Sequence, residues 1–283
     1  MFEKVLYGKI PNRIYYFLFR NQIGLDRSIV NKNQINLEWW QRTTNLGDAL
    51  APIIYEWILR KYHLDKNKRT NKTIHLNTVG SLIGQGHYDA VIWGSGVLDQ
   101  RNTTNLVNQR KYRKLDVRAV RGPISYIVLK ICGYECPQVY GDPAILMPYI
   151  YPKKENCQKE YDTSVIFHHT QENSDTYDCH IINIRTKDYK HFIDEICKSK
   201  KIISSSLHGI ILAETYGVPA IMLKKGMSNE IVKFFDWYYS TSRFNIRMAD
   251  TLEDAIKMEP MELPNLNKQR EELLKAFPYD LWK

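Results

Sequence analysis

Residues 201–223, KIISSSLHGIILAETYGVPAIML, constrain the fold more than any other stretch of the chain. Ile202 and Ile203 form a short apolar run between lysines and three serines, which reads as a buried strand. From Leu207 to Tyr216 apolar residues recur at helical spacing, with Ile211, Leu212, Thr215 and Tyr216 on or near one face. Gly217 stops that helix, and Pro219 forbids its continuation. Ala220 to Leu223 reads as a second buried strand. Strand, loop, helix and strand in this order build a parallel sheet. The loop Ser204 to Gly209 then lies at the carboxyl end of the sheet, where open α/β folds bind ligands. A helix beginning near Ser205, Ser206 and Leu207 offers free backbone N–H groups and the positive end of its dipole to a phosphate or carboxylate. Gly209 allows close backbone approach, and His208 adds a group that carries a proton near neutral pH. Serines at this place are also ordinary helix caps, and the stretch alone leaves both readings open.

The rest of the chain repeats the alternation. Ile35 to Trp40 reads as a strand, followed by Asn45-Leu46-Gly47-Asp48 and a helix with the apolar stripe Leu50, Ile53, Ile54, Trp57 and Ile58. Pro52 fits the first turn of that helix, and Asp48 is placed to cap it or to face a ligand as a carboxylate base. Asp89 to Trp93 is a further strand that ends in Gly94-Ser95-Gly96, small residues that admit close approach. Residues 99–114 are polar and basic and read as a solvated loop or helix face. Leu115 to Val120 is a strand, then Arg121-Gly122-Pro123 opens a helix from Ile124 to Ile131. Arg121 at that strand end can hold an anion through its planar fork or form a surface ion pair. Val139-Tyr140 leads into the tight turn Gly141-Asp142-Pro143-Ala144, with Asp142 as turn residue or cleft carboxylate.

Residues 148–162 break periodicity and carry two prolines, so the domain boundary falls there. A second α/β series follows: Thr163 to Phe167 with His168 and His169 at its end, Cys179 to Ile184 ending at Arg185, a helix from Tyr189 to Cys197, and the unit described first. Helices are expected over 231–239, 251–258 and 267–277. His168, His169 and Glu172 raise the question of a metal, but adjacent histidines on a strand point to opposite faces, and no zinc spacing is present. No metal is expected.

The chain has 283 residues and a net charge of +9, a surplus that favours anionic partners. Nucleic acid is not expected, since no zinc-finger spacing, RNP-type sequence or dense basic helix is present. No apolar run approaches a membrane span, the first twenty residues lack a signal-peptide layout, and the five cysteines lack a C-x-x-C pair. A cytoplasmic protein with reduced thiols is expected, placed free or at the inner face of the membrane. The aromatic cluster 14–19, flanked by Arg13, Arg20 and Arg27, is either an amphipathic surface anchor or a helix packed on the rest of the protein.

Together, Asn45-Leu46-Gly47-Asp48, Trp93-Gly94-Ser95-Gly96, Arg121-Gly122-Pro123-Ile124-Ser125, Gly141-Asp142-Pro143-Ala144 and Ser205-Ser206-Leu207-His208-Gly209 resemble, in order, the motifs of the polysaccharide pyruvyl transferase family. The resemblance runs from about residue 35 to 225. It implies an α/β fold of two doubly wound, Rossmann-like domains facing a cleft, as in GT-B glycosyltransferases, here 1–150 on the acceptor side and 151–283 on the donor side. It implies transfer of the pyruvyl group of phosphoenolpyruvate to two hydroxyls of a sugar, a hexose such as galactose, in bacterial surface-polysaccharide biosynthesis. The product is a cyclic ketal, phosphoenolpyruvate is a co-substrate, and no cofactor is needed. The acceptor that the resemblance implies is a sugar, on a lipid-linked oligosaccharide or on the finished polymer.

In the family an R-x-x-x-S arginine helps to bind the donor, which matches Arg121 with Ser125. The histidine of R-L-H-G matches His208, but Ser206 stands where the family has arginine, so Arg185, Lys187, Lys224 or Lys225 are candidates to replace its charge. The expected machinery is His208 as donor acid/base, Asp48 on the acceptor and Arg121 on the donor. Around them Asn45, Gly47, Gly94, Ser95, Gly96, Ser125, Asp142, His168, Arg185, Ser205, Ser206, Leu207 and Gly209 form the substrate site. Two other readings stand beside this one. One is a nucleotide-sugar glycosyltransferase or sialyltransferase on the same architecture, with Glu214 on the ribose; the other is a non-catalytic, membrane-peripheral binding protein.

Overall fold

Short apolar strands alternating with helices produce two parallel sheets. The structure, a computed structural model, describes residues 11, 14, 17–18, 24–25, 29–155, 157–171, 179–224 and 230–283. The first sheet holds β1 (Ile35–Glu38), β2 (Ile74–Asn77), β3 (Ala90–Trp93) and β4 (Leu115–Ala119), in that order and all parallel. Its helices are α1 (Leu46–Lys61), α2 (Gln100–Gln109) and α3 (Pro123–Ile131). The second sheet has the order β6-β5-β7-β8-β9, from β5 (Tyr161–Ile166), β6 (His180–Ile181), β7 (Ser199–Ser204), β8 (Ala220–Leu223) and β9 (Met248–Ala249). Around it lie α4 (Tyr189–Lys198), α5 (Leu207–Thr215), α6 (Ile231–Ser240) and α7 (Leu252–Lys257), while α8 (Asn267–Ala276) returns to pack against β4 of the first sheet.

The winding differs between the sheets. The second places β6 on one side of β5 and β7 to β9 on the other, so its strand order reverses beside β5. That is the doubly wound pattern, with its crevice at the reversal. Among the described strands the first sheet runs in sequence order with no reversal, so the doubly wound expectation fails there.

Several local expectations change. Ile74–Asn77, which the sequence reading passed over, is a fully buried inner strand. Helix α1 begins at Leu46, so Asp48 lies inside its first turn and Asn45 takes the N-cap place. Residues 100–109 form a helix, one of the two forms expected, but Arg113, read as solvated, is fully buried and donates to the carbonyls of Tyr88 and Ile83. Val139-Tyr140 contributes a single bridge, from Tyr140 to Val120. Strand β5 starts at Tyr161, inside the stretch read as the domain boundary.

One apolar cluster reaches from Leu76 and Trp93 of the first sheet, through Leu50, Ile54 and Ile58 of α1, to Ile166 and Ile202 of the second. Helix α5 lies at its centre with all nine residues buried. A helix that is apolar all round belongs between layers rather than on a surface. Each fully buried Leu or Ile there stabilises by about 1.5–3 kcal/mol. This packing fixes α1 and α5 against each other, and their N-termini meet where the site lies. Of the N-terminal aromatic cluster, Ile14, Phe17 and Leu18 are described and exposed. Arg13, Tyr15, Tyr16, Phe19, Arg20 and Arg27 lie outside the described residues. No helix among the described residues is long and apolar enough to cross a membrane.

Candidate functional site

A cleft of about 550 Å³ opens at the carboxyl ends of both sheets. Trp40 and Thr43 follow β1, Gly80 and Ser81 follow β2, and Leu98 and Asp99 follow β3. From the other side, His168 and His169 follow β5, Ser206 to His208 follow β7, and Glu230 and Lys233 come after β8. Parallel strands put their loops at one end, which is why residues so far apart in sequence share one wall.

The two sides touch at His208. Its imidazole lies against the backbone of Gly47, where a Cβ would overlap the ring. Glycine at 47 is therefore required by the close approach of the ring. The Nε2 of His208 is 3.5 Å from Oδ2 of Asp142. Neither atom has a hydrogen-bond partner among the described residues, although His208 is 7% exposed and Asp142 0%. The other Asp142 oxygen accepts from the backbone N–H of Ala144 at 3.0 Å, which fixes the carboxylate as the cap of a short turn. Buried polar atoms are nearly always paired, so an imidazole nitrogen and a carboxylate oxygen left open together mark a place for a ligand or a proton.

Asp48 stands beside this pair. Burial pushes its carboxyl above the usual carboxylate range, while the charge of His208 and the Asn45 amide, donating at 2.8 Å, act the other way. A buried carboxyl of this kind takes up a hydroxyl proton more readily than an exposed one. His168 is held to about 4, first by burial and then by the positive charges of Lys233 and His169, with Glu230 opposing. It is neutral near pH 7. Burial also pulls His169 and the Lys233 ammonium below their usual ranges.

The structure brings Asn45, Gly47, Asp48, Asp142, His168, Ser206, Leu207 and His208 to the cleft or its floor. Other expected residues stand behind it. Arg121 is 0% exposed, and its guanidinium donates to Asp236 Oδ2 at 3.1 Å, Ser81 Oγ at 2.8 Å and the Val97 carbonyl at 2.6 Å. Ser125 donates to the same Asp236 oxygen at 2.6 Å. The R-x-x-x-S pair thus clasps α6 and steadies Ser81 on the cleft wall, which departs from its expected direct hold on a donor. Gly122 lies under the Asp236 carbonyl, with no room for a Cβ. Gly94 packs on Pro143 and Gly96 on the Arg121 guanidinium. Ser95 Oγ donates to the Gly80 carbonyl at 2.7 Å and shapes the loop. Ser205 accepts from the His168 N–H at 2.8 Å, and Gly209 packs on Ser204.

Arg185 does not line the cleft and donates to the carbonyls of His169 and Gln171, both at 2.6 Å. Lys224 pairs with Asp250. Lys225 and Glu172 lie outside the described residues. His168 and His169 also differ from expectation. Strand β5 ends at Ile166, so both histidines sit on the following loop, and their rings lie 4.3 Å apart facing one cleft. No group of three or more metal-ligating side chains gathers among the described residues. Glu214, the ribose carboxylate of the nucleotide-sugar reading, is buried and held by Arg243 at 2.6 and 2.7 Å and by Trp237 at 2.8 Å.

Sequence reasoning missed Ser81, His169, Glu230 and Lys233. The signal for Lys233 lies in its own helix. In IVKFFDWYYS, Lys233 and Asp236 stand three apart among large apolar residues, and charge on a buried face asks for an explanation.

A family profile described as polysaccharide pyruvyl transferase matches residues 40–224. An uncharacterized protein of Acanthamoeba polyphaga mimivirus is 25% identical over 222 residues, covering 73% of this chain and 74% of that protein. An uncharacterized Klebsiella pneumoniae protein of known crystal structure aligns with a TM-score of 0.49 and 16% identity, over 88% of this chain and 97% of that one. The profile match takes in every motif from Asn45 to Gly209.

Proposed function

The chain belongs to the polysaccharide pyruvyl transferase family, and from that premise we propose that its cleft moves the pyruvyl group of phosphoenolpyruvate onto two hydroxyls of one hexose. The observation that carries this reading is the buried imidazole of His208, seated on Gly47 with an unpartnered Nε2 and with Asp48 in the same cleft. Ketal formation makes two C–O bonds at C2 of the donor and breaks the bond from C2 to the bridging oxygen, which leaves with the phosphate. Of the two hydroxyl protons, one ends on C3, which becomes the methyl group, and the other leaves with phosphate.

His208 is assigned the proton delivered to C3. Asp48 is assigned the acceptor hydroxyl. The adjoining N-termini of α1 and α5 favour negative charge between them. The division into an acceptor-side 1–150 and a donor-side 151–283 on GT-B lines belongs to the same proposal. It is supported by one sheet lying on each side of the boundary, and a cytoplasmic site of action fits the donor. A lipid-linked acceptor remains the form of substrate to be tested beside free sugars. The nucleotide-sugar reading loses its carboxylate, since Glu214 is committed to Arg243 and Trp237.

The test is incubation with phosphoenolpyruvate and a panel of galactosides, mannosides and glucosides, following phosphate release and the mass of the sugar. Release matched by the mass gain of one ketal is expected. His208→Ala should lower turnover by about 10²–10⁴, the usual worth of a positioned acid/base, with the fold intact. Phosphate release without a sugar adduct, or full turnover in His208→Ala, would remove the assignment.

A further inference from the structure

Of the cations named from sequence as the charge in this cleft, Arg121, Arg185 and Lys224 are engaged elsewhere, and the exposed Lys187 does not line the cleft. Arg121 is buried under Asp236, Ser81 and Val97, Arg185 holds the His169 and Gln171 carbonyls, and Lys224 is on Asp250. Among the described residues lining the cleft, Lys233 is the only lysine or arginine. It lies in the first turn of α6, nine-tenths or more buried, over the ring of Phe234, and donates to Oε2 of Glu230. That same oxygen is 3.6 Å from Nε2 of His168. A single carboxylate oxygen therefore stands between an ammonium and an imidazole at the cleft wall, and Glu230 is partly exposed there.

We propose that Lys233 anchors an anionic group of the donor, and that the Glu230 carboxylate occupies that place until the donor displaces it. This rests on the reading of the cleft as the site of an anionic donor. The charge balance favours an exchange over a simple addition. Asp48, Asp99 and Glu230 line the cleft with Lys233, so a further anion is repelled while Glu230 keeps its place. Burying an ion pair contributes little to stability beside an apolar side chain of similar volume, so the pair at α6 has no evident structural purpose. Methionine at 233 keeps the length of the stem and its contact with Phe234, and removes the ammonium.

The experiment is calorimetric titration of inorganic phosphate and, separately, phosphoenolpyruvate into the wild-type protein and the variants Lys233→Met, Lys233→Arg and Glu230→Gln. Lys233→Met is expected to weaken both anions by about 10- to 100-fold, the worth of one charge-assisted hydrogen bond. Lys233→Arg should recover most of that loss. Glu230→Gln should tighten both anions, because it removes the competitor and keeps the shape. The sign of the Glu230→Gln change is a result that a merely structural role for Lys233 does not produce, and it does not depend on how Lys233→Met folds. Unchanged affinity in Lys233→Met, or weaker binding in Glu230→Gln, overturns the anchor. If phosphate binding depends on Lys233 but phosphoenolpyruvate is never turned over on any sugar, the anchor stands and pyruvyl transfer falls. If Lys233→Met turns over with the wild-type KM for phosphoenolpyruvate, transfer stands and the anchor falls. No saturable binding of either anion to the wild-type protein removes both.

Discussion

At the scale of single residues, the tightest constraint is the seat of His208 on Gly47. Gly47→Ala pushes a methyl group into the imidazole, so turnover is expected to fall by about the 10²–10⁴ of losing the acid/base itself. Circular dichroism and kcat on one preparation check this, with the spectrum unchanged. Asp48 gives a prediction with a defined sign. Its folded pKa is raised by burial, so the folded state binds the proton more tightly than the unfolded chain. Stability is then lost as pH rises from the unfolded value of 3.8 through the raised one. Asp48→Asn removes that loss, so it should melt higher than wild type at about pH 7 and close to it at about pH 3, while turning over more slowly. A lower melting point at neutral pH would show that the carboxylate is satisfied as an ion. His168 has the opposite slope. Its pKa is depressed to about 4 from 6.5, so stability is lost as pH falls through that window, and His168→Gln should flatten this part of the profile. His208 and Asp48 were legible because their residue types carry chemistry inside short motifs. Lys233 and Glu230 were not: a lysine among large apolar residues signals burial, but the cleft that this turn reaches is built by other strands.

At the scale of elements, α3 and α6 are joined by Arg121 and Ser125 closing on Asp236, with Gly122 allowing the backbone contact. Breaking a buried pair by removing one partner leaves a stranded charge. Asp236→Ala is therefore expected to cost about 3–5 kcal/mol, read from urea denaturation. Arg121→Lys should act chiefly on stability and little on donor KM. A sharp rise in KM at unchanged stability would instead return Arg121 to direct donor contact. The R-x-x-x-S spacing was legible, with Arg121 just before the N-cap Gly122 and Ser125 in the first turn of α3. Its target was not, since Asp236 lies 115 residues further along. Strand β2 escaped for a related reason. Ile74-His75-Leu76-Asn77 looks half-polar, yet all four residues are buried, and His75 is satisfied by Glu38 at 2.7 Å. Its burial comes from a neighbouring strand rather than from its own composition. The unit from β7 to β8 was legible almost to the residue, because apolar runs, Gly217 and Pro219 mark its ends locally.

At the scale of the whole molecule, two parallel sheets share one apolar cluster through α1 and α5, so the cleft between their carboxyl ends is held by the core. Alternating strands and helices made the α/β class legible. The direction of winding was not, because the side on which a strand joins its sheet is decided by packing partners far along the chain. Ligands that bind the folded state raise its melting point by mass action. Phosphoenolpyruvate is therefore expected to shift it, while UDP-, GDP- and CMP-sugars are not. The most direct measurement is a crystal structure of the wild-type protein with phosphoenolpyruvate bound. The expected result is a donor lying in the cleft with C3 facing Nε2 of His208 and an anionic group on Lys233 in place of Glu230. A donor seated away from His208, or a nucleotide held beside Glu214, would contradict it.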